Sequence, residues 1–211
     1  MTPKFAQAVD PIFLHVLRLL ERVSSGENPS PQDERLGIRA LIDQAEAIVG
    51  AGQEWELAKY ALVSWIDEVL LEIPWDGRDW WGNNVLEVEL FNTRLCNEQF
   101  YVRAQEASSL SRRDALEVFY VCVVLGFRGL YREPELAYML TQSHGLPPDL
   151  ETWAKQVSLA IRLGQGRKPL AGPVREIYGA PPLRAKPRVA WSWLTAVLLL
   201  GLIVLLYYAP S

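Results

Sequence analysis

Histidine and cysteine are scarce in this 211-residue sequence, which contains two of each. The two cysteines, Cys96 and Cys122, are too few for a disulfide scaffold, and we expect both thiols to be reduced. His15 and His144 have no cysteine, histidine or carboxylate partner at a metal-binding spacing. We therefore interpret both histidines as structural and predict no metal site.

Recognisable catalytic and nucleotide-binding motifs are also missing. The sequence contains no GxxxxGK[ST], GxGxxG, GxSxG or HExxH, which are typical of phosphate loops, dinucleotide sites, hydrolases and zinc proteases. Cys122 lies among apolar residues, a setting that raises the pKa of a thiol and makes it unreactive. We predict that the protein is not an enzyme and that it uses no cofactor.

Charge is distributed unevenly along the chain. The first 161 residues contain 24 acidic and 14 basic residues, whereas residues 162–188 contain seven basic residues and one acid. Binding to nucleic acid needs a surface rich in lysine and arginine, so an acidic body predicts no nucleic-acid partner. The region at 164–188, rich in glycine, proline and basic residues, is predicted to be a linker.

Residues 189–211 carry no charge at all. Within them, residues 189–208 form an apolar run of twenty whose only polar side chains are Ser192 and Thr195. A helix of that length crosses about 30 Å of hydrocarbon, so we predict one transmembrane helix in a lipid bilayer. The alternative, a buried core helix, leaves such a run at the end of the sequence without partners to bury it.

Residues suited to a membrane interface flank this predicted span. They are Arg184, Lys186, Arg188, Trp191, Trp193, Tyr207 and Tyr208. Aromatic residues favour both interfaces and basic residues favour the cytoplasmic side, so we predict a cytoplasmic N-terminal body. Charges are spread through the amphipathic first 23 residues, and we expect no secretory signal peptide.

Apolar residues recur every three or four positions through the body, which predicts helices. The predicted helices are Phe5–Val23, Gln32–Val49, Glu54–Ile73, Val85–Thr93, Asn97–Ala107, Ser111–Phe127, Glu135–Ser143 and Pro148–Leu163. Residues 74–84 are rich in Gly, Asp and Trp and are predicted to form a loop. The helix from Ser111 is apolar on every side after Val118, which indicates the central core helix. No strand pattern persists, so the fold class is all-α, with seven or eight helices before the anchor.

Two adjacent acids, Asp67 and Glu68, fall on the side of the third predicted helix away from Leu62 and Val69. Apolar residues such as Leu71 lie around them, so we expect another element to cover this side.

Several roles for the two acids remain open. They face solvent, pair with an arginine such as Arg128 or Arg132, tie two helical bundles together, or contact a partner. If the pair is a partner contact, replacing both acids by lysine is expected to weaken assembly while the domain stays folded, as at a surface position.

A series of motifs in this sequence resembles the DotU/TssL (IcmH) family of bacterial secretion-system proteins. The motifs are W-I-D-E (Trp65–Glu68), P-W (Pro74, Trp75), W-W (Trp80, Trp81), F-N (Phe91, Asn92), E-x-F-Y (Glu98–Tyr101) and the run from Leu116 to Arg132. The resemblance covers residues 1–162 in order, and the single C-terminal span belongs to the same pattern.

The resemblance implies two packed three-helix bundles, hook-like in the cytoplasm, followed by one transmembrane helix in the bacterial inner membrane. It implies binding to an IcmF/TssM-like inner-membrane protein and, in type VI systems, to TssK-like and TssE-like baseplate components, with a homodimer left open. By motif, Asp67 and Glu68 are the family's acidic pair, which we take as the partner-binding hypothesis. Gly126, Phe127, Gly129 and Tyr131 form its G-F-x-G-x-Y turn, where glycine suits a tight chain reversal.

The resulting organisation is a cytoplasmic domain at 1–163, a basic linker at 164–188, a transmembrane helix at 189–208 and a periplasmic tail at 209–211. Only three residues follow Tyr208, so we expect no peptidoglycan-binding domain. Residues 93–99 and Arg128 depart from the acidic pattern common in the family, which predicts a different charge at a partner surface there.

Other functions stay open beside this one. The motifs do not separate a type VI from a type IVb secretion system, and we favour type VI as the commoner setting. The alternatives from other classes are a tail-anchored helical enzyme with Asp67 and Glu68 as its active carboxylates and a tail-anchored adaptor unrelated to secretion.

Overall fold

The computed structural model describes residues 1–164 and 197–201, which contain helices and loops and no strand. The helices are α1 (Pro3–Ser24), α2 (Pro31–Val49), α3 (Gln53–Glu72), α4 (Arg78–Asn83), α5 (Leu86–Phe91), α6 (Cys96–Ser109), α7 (Asp114–Val124), a 3₁₀ turn η1 (Gly129–Arg132), α8 (Pro134–His144) and α9 (Leu150–Gly164). Residues 197–201 are helical. The all-α prediction is confirmed for this part of the chain.

Helix boundaries follow from local chemistry. Helix α2 begins after Ser30, whose hydroxyl accepts a hydrogen bond from the Asp33 amide at 3.4 Å, and Pro31 occupies its first turn, where no amide proton is needed. Helix α3 ends at Ile73, which has extended backbone angles. Pro74 causes this ending because it disfavours the helical conformation in the residue before it.

Helix α3 forms the centre of the body. Fourteen of its twenty residues are buried, and it packs against α2, α4, α5, α6 and α7, while α1 packs on α2. Aromatic rings also join α1 to α3, since the ring centroids of Phe13 and Trp65 lie 5.2 Å apart. The prediction that the later apolar helix is central was wrong. In α7, Val124 is 64% exposed, because α3, α6 and α9 cover only part of its circumference.

One helix lies where a loop was predicted. Residues 78–83 form the six-residue helix α4, and the indole of Trp81 within it is fully buried. A helix this short is unstable by itself, and tertiary contacts stabilise it. Residues 1–164 consequently contain nine α-helices, more than the seven or eight expected.

The predicted transmembrane segment at 189–208 lies outside the described residues, apart from 197–201. The interface residues predicted beside it lie outside them as well: Arg184, Lys186, Arg188, Trp191, Trp193, Tyr207 and Tyr208. Within 1–164 and 197–201, no helix is both long and apolar enough to cross a bilayer.

Candidate partner-binding cleft

A polar cleft of about 560 Å³ opens at the C-terminal end of α3. Helices α3, α4, α5 and α6, the loop before α6 and the 3₁₀ turn η1 contribute residues to its walls. Its charged lining residues are Asp67, Glu68, Glu72, Arg78, Glu87, Arg94 and Arg132. Both acids of the predicted partner-binding pair therefore lie in the walls of one cleft.

Asp67 holds α4 and α5 against α3. Its carboxylate accepts hydrogen bonds from the Trp81 indole N–H at 2.9 Å, from the Leu86 amide at 2.9 Å and from the Glu87 amide at 2.8 Å. The side chain is only 2% exposed. Burial raises the pKa of Asp67 to about 6, and the three donors oppose part of that rise.

Glu87 continues this network at the start of α5. One of its buried carboxylate oxygens accepts hydrogen bonds from the Tyr60 hydroxyl at 2.8 Å, from the Thr93 hydroxyl at 2.6 Å and from the Leu95 amide at 3.0 Å. Glu87 thereby fixes the loop between α5 and α6 to α3. Arg103 lies over the Tyr60 ring at 3.8 Å from its centroid, a cation–π contact that covers the same network.

Glu68 holds a different element, the turn after α7. Its carboxylate accepts hydrogen bonds from the Arg128 amide at 2.6 Å and the Gly129 amide at 3.0 Å, and it pairs with the Arg132 guanidinium at 2.9 Å. Arg132 also pairs with Glu72. Burial raises the pKa of Glu68, while the two amides and the guanidinium act in the opposite direction.

The predicted turn residues surround this contact. At the end of α7 the Gly126 amide donates to the Val123 carbonyl and the Phe127 amide to the Cys122 carbonyl, a Schellman arrangement that needs a left-handed residue, here Gly126 at φ 117°. Gly129 has φ 50°, and a Cβ there would lie 2.9 Å from the Asn97 carbonyl oxygen.

Two aromatic members of the turn anchor it to the rest of the body. Phe127 is fully buried and its ring stacks on Phe100 at 3.9 Å between centroids. The Tyr131 hydroxyl donates to the Pro147 carbonyl at 2.7 Å, and its ring meets Tyr101 edge-on.

The contacts of Asp67 and Glu68 distinguish among the roles that the sequence left open. The solvent-facing alternative was wrong, because Asp67 is 2% and Glu68 7% exposed. The surface position assumed for the lysine replacements was wrong for the same reason, and the effect of those replacements stays a prediction. Glu68 does pair with Arg132, one of the two arginines expected, and both acids tie α3 to other elements. The direct partner contact stays a prediction.

Several cleft residues were not anticipated from the sequence. Glu87 lies in a weak helical stretch that gave no distinctive pattern. Arg94 was marked only as one of residues 93–99, whose departure from the family's acidic pattern predicted a different charge at a partner surface. Trp81 carried a signal, because it belongs to a conspicuous W-W pair, and a buried indole normally needs an acceptor. Arg78 had no signal of its own.

His15 and the two cysteine side chains make contacts within the protein or are buried. His15 lies 2.9 Å from a carboxylate oxygen of Glu34, and Cys96 and Cys122 are not joined by a disulfide. Burial raises the pKa of both thiols. In residues 1–164 and 197–201, no group of three or more histidine, cysteine or acidic side chains is arranged to hold a metal ion.

Comparison with known proteins identifies the family. The family described as "Type VI secretion system protein DotU" matches residues 4–210. Among solved structures, the chain is similar to the cytoplasmic domain of TssL from Acinetobacter baumannii, at 23% sequence identity, with a TM-score of 0.60 and coverage of 76% of this chain and 98% of that chain. This likeness shows the fold. A comparison with curated proteins gives no match. The chain belongs to the DotU family of type VI secretion system proteins.

Proposed function

We propose that this protein is a structural inner-membrane subunit of a type VI secretion system, acting by binding other subunits rather than by catalysis. The observation that carries this proposal is the family match over residues 4–210, nearly the whole chain. Similarity to the cytoplasmic domain of a TssL protein supports the same placement for the helical body. The buried carboxylates of the cleft already accept hydrogen bonds from the protein's own backbone, as expected of a scaffold.

The proposed organisation is a cytoplasmic hook of two bundles at 1–163, a basic linker at 164–188, a single inner-membrane span at 189–208 and a periplasmic tail at 209–211. The uncharged run of twenty residues and the basic residues before it support this orientation. The linker's positive charge is suited to an anionic cytoplasmic leaflet.

The proposed partners are an IcmF/TssM-like inner-membrane protein and TssK-like and TssE-like baseplate components. We assign one docking site to the cleft at the end of α3. Asp67 and Glu68 take part by fixing its walls, since each acid holds a separate element in place. A second copy of the chain is a further partner that the same experiment detects.

Affinity capture of the full-length chain from gently solubilised native membranes, followed by mass spectrometry, tests the function. We expect a large inner-membrane protein and baseplate subunits to be recovered. A matched pair of variants, Arg94→Gln in the cleft and Arg18→Gln on the exposed face of α1, separates the cleft from general charge effects. Recovery of the chain alone, or with metabolic proteins, would contradict the secretion role.

A further inference from the structure

The four carboxylates of the cleft are satisfied within the protein. Asp67 and Glu87 are each 2% exposed, and each accepts hydrogen bonds from buried donors of the protein itself. Glu68 is held by two amides and Arg132, and Glu72 pairs with the same guanidinium. An incoming cation would have to compete with these contacts, so the acids are poorly suited to recognise a basic partner.

Two cations of the cleft have no such partner among the residues that the structure describes. Arg78 on α4 and Arg94 in the loop between α5 and α6 are exposed, and within the described part of the chain neither guanidinium makes a hydrogen bond or ion pair. The lining charges left without a partner among the described residues are therefore positive, although four carboxylates and three guanidiniums line the cleft. A guanidinium binds carboxylates through paired N–H donors.

The buried acids fix the backbone segments that carry both arginines. Asp67 binds the Trp81 indole N–H, which fixes α4 and so Arg78. Glu87 binds the Thr93 hydroxyl and the Leu95 amide, on either side of Arg94. Because both supporting backbones are already held, binding would order only the two arginine side chains, and the entropic cost of ordering their backbones is avoided.

Apolar surface accompanies the two arginines. Leu71 and Val85 line the cleft, and Leu95, beside Arg94, is 51% exposed. A small anion would contact only the arginines, whereas a peptide with acidic and apolar residues would contact the arginines and these apolar side chains.

We propose that the cleft binds an acidic peptide segment of a partner protein, with Arg78 and Arg94 pairing with its carboxylates. This inference rests on the proposed function and names the chemistry of the partner at that site. Asp67 and Glu87 are positioning residues, which hold the two arginine-bearing elements.

Binding of labelled hexaglutamate to the full-length chain in mild detergent, measured by fluorescence anisotropy, tests the proposal. Hexalysine and hexaglutamine are the comparison peptides. We expect hexaglutamate to bind more tightly than either, with an affinity that falls as salt is raised. We expect Arg78→Gln and Arg94→Gln to weaken binding by about fivefold each. Arg18→Gln, which removes the same charge from the exposed face of α1, is expected to leave binding unchanged.

Three outcomes would overturn the proposal: equal affinity for hexaglutamate and hexaglutamine, an equal loss in the Arg18→Gln control, or full displacement by inorganic phosphate at the same charge concentration. Affinity capture of secretion partners from membranes is a second measurement, independent of the peptide-binding assay. If wild type and both cleft variants capture the same partners equally, the secretion role stands and the arginine contact is refuted. If wild type captures none, the proposed function fails, whatever the peptide result.

Discussion

Asp67 and Glu68 are consecutive residues of one helix, yet they stabilise different parts of the molecule by different means. Asp67 faces α4 and α5, where it accepts three hydrogen bonds from uncharged donors. Glu68 faces the turn after α7, where it meets two amides and the guanidinium of Arg132. A rotation of about 100° between neighbouring residues of a helix separates these two environments.

The difference shows how a buried carboxylate can be stabilised with or without a counter-ion. Neutral donors leave the charge of Asp67 uncompensated, and burial raises its pKa to about 6. Glu68 has a cation beside it, but Arg132 is 44% exposed at its side chain and is partly hydrated. We therefore expect a substitution among the buried contacts of Asp67 to lower the free energy of unfolding more than a substitution among the contacts of Glu68.

The largest effect is expected for Asp67→Ala. It leaves an indole N–H and two amides without acceptors in the interior, and we expect a loss of about 3–5 kcal/mol in the free energy of unfolding. Urea denaturation of the full chain in mild detergent, followed by circular dichroism, measures this. Asp10→Ala, at an exposed position of α1, is the matched control. Equal stability of the two variants would mean that solvent satisfies the three donors.

Near Glu68, we expect Gly129→Ala to lower the free energy of unfolding by about 2–4 kcal/mol. Its backbone is left-handed at φ 50°, and the new Cβ would lie 2.8 Å from the Phe127 ring and 2.9 Å from the Asn97 carbonyl oxygen. Gly126→Ala is the comparison, since it is also left-handed but has open space around it, and we expect about 1 kcal/mol. The same denaturation measurement compares them, and a larger loss at Gly126 would contradict the steric explanation.

The raised pKa of Asp67 predicts a pH dependence that sharpens the comparison. The folded-state pKa of about 6 lies above the unfolded value of about 4, so the folded state binds more protons between these pH values. The contribution of Asp67 is fully present below about pH 4 and is lost as pH rises to about 6. We expect the stability of wild type relative to Asp67→Asn to fall by about 2–3 kcal/mol over that range.

Denaturation of wild type and Asp67→Asn from pH 4 to 7 measures this difference, and Asp10→Asn controls for general charge effects. A flat difference across the range would show that the donors, rather than burial, dominate the protonation of Asp67.

The smallest effect is expected for Arg132→Gln. The guanidinium is partly exposed, and the two backbone amides still hold Glu68 after its removal. We expect a loss below about 1 kcal/mol in the free energy of unfolding. Thermal denaturation beside Lys155→Gln, a solvent-exposed ion-pair control on α9, checks this. A loss as large as that of Asp67→Ala would mean that Glu68 depends on its counter-ion after all.

Apolar periodicity in the sequence predicted most of the fold. The helices at Phe5–Val23, Gln32–Val49 and Glu54–Ile73 agree with α1, α2 and α3 within two residues at each end, because a packed face repeats along the helix that carries it. The pattern failed at α4, whose helical state depends on the contact between Trp81 and Asp67. It also placed the centre of the core at α7 rather than at α3, since composition does not show which neighbours cover a helix.

The candidate site was only half predictable. Motif resemblance selected Asp67, Glu68 and the turn at Gly126–Tyr131, and it marked Arg94 only as part of residues 93–99. It did not select Glu87 or Arg78. The roles of these residues depend on groups distant in the chain, because the donors to Asp67 lie 14–20 residues away and those to Glu68 lie 60 or 61 residues away. No local pattern records such distances.

The sequence by itself determined the helical class, the uncharged C-terminal run and the family, because each depends on composition, periodicity or motifs that are local along the chain. Only the tertiary structure decided that the two acids are buried, that each ties a different element to α3, and that two arginines of the cleft have no partner within residues 1–164 and 197–201. The physical reason is that burial and hydrogen-bond partnership depend on which distant segments meet, and those contacts form only when the helices pack.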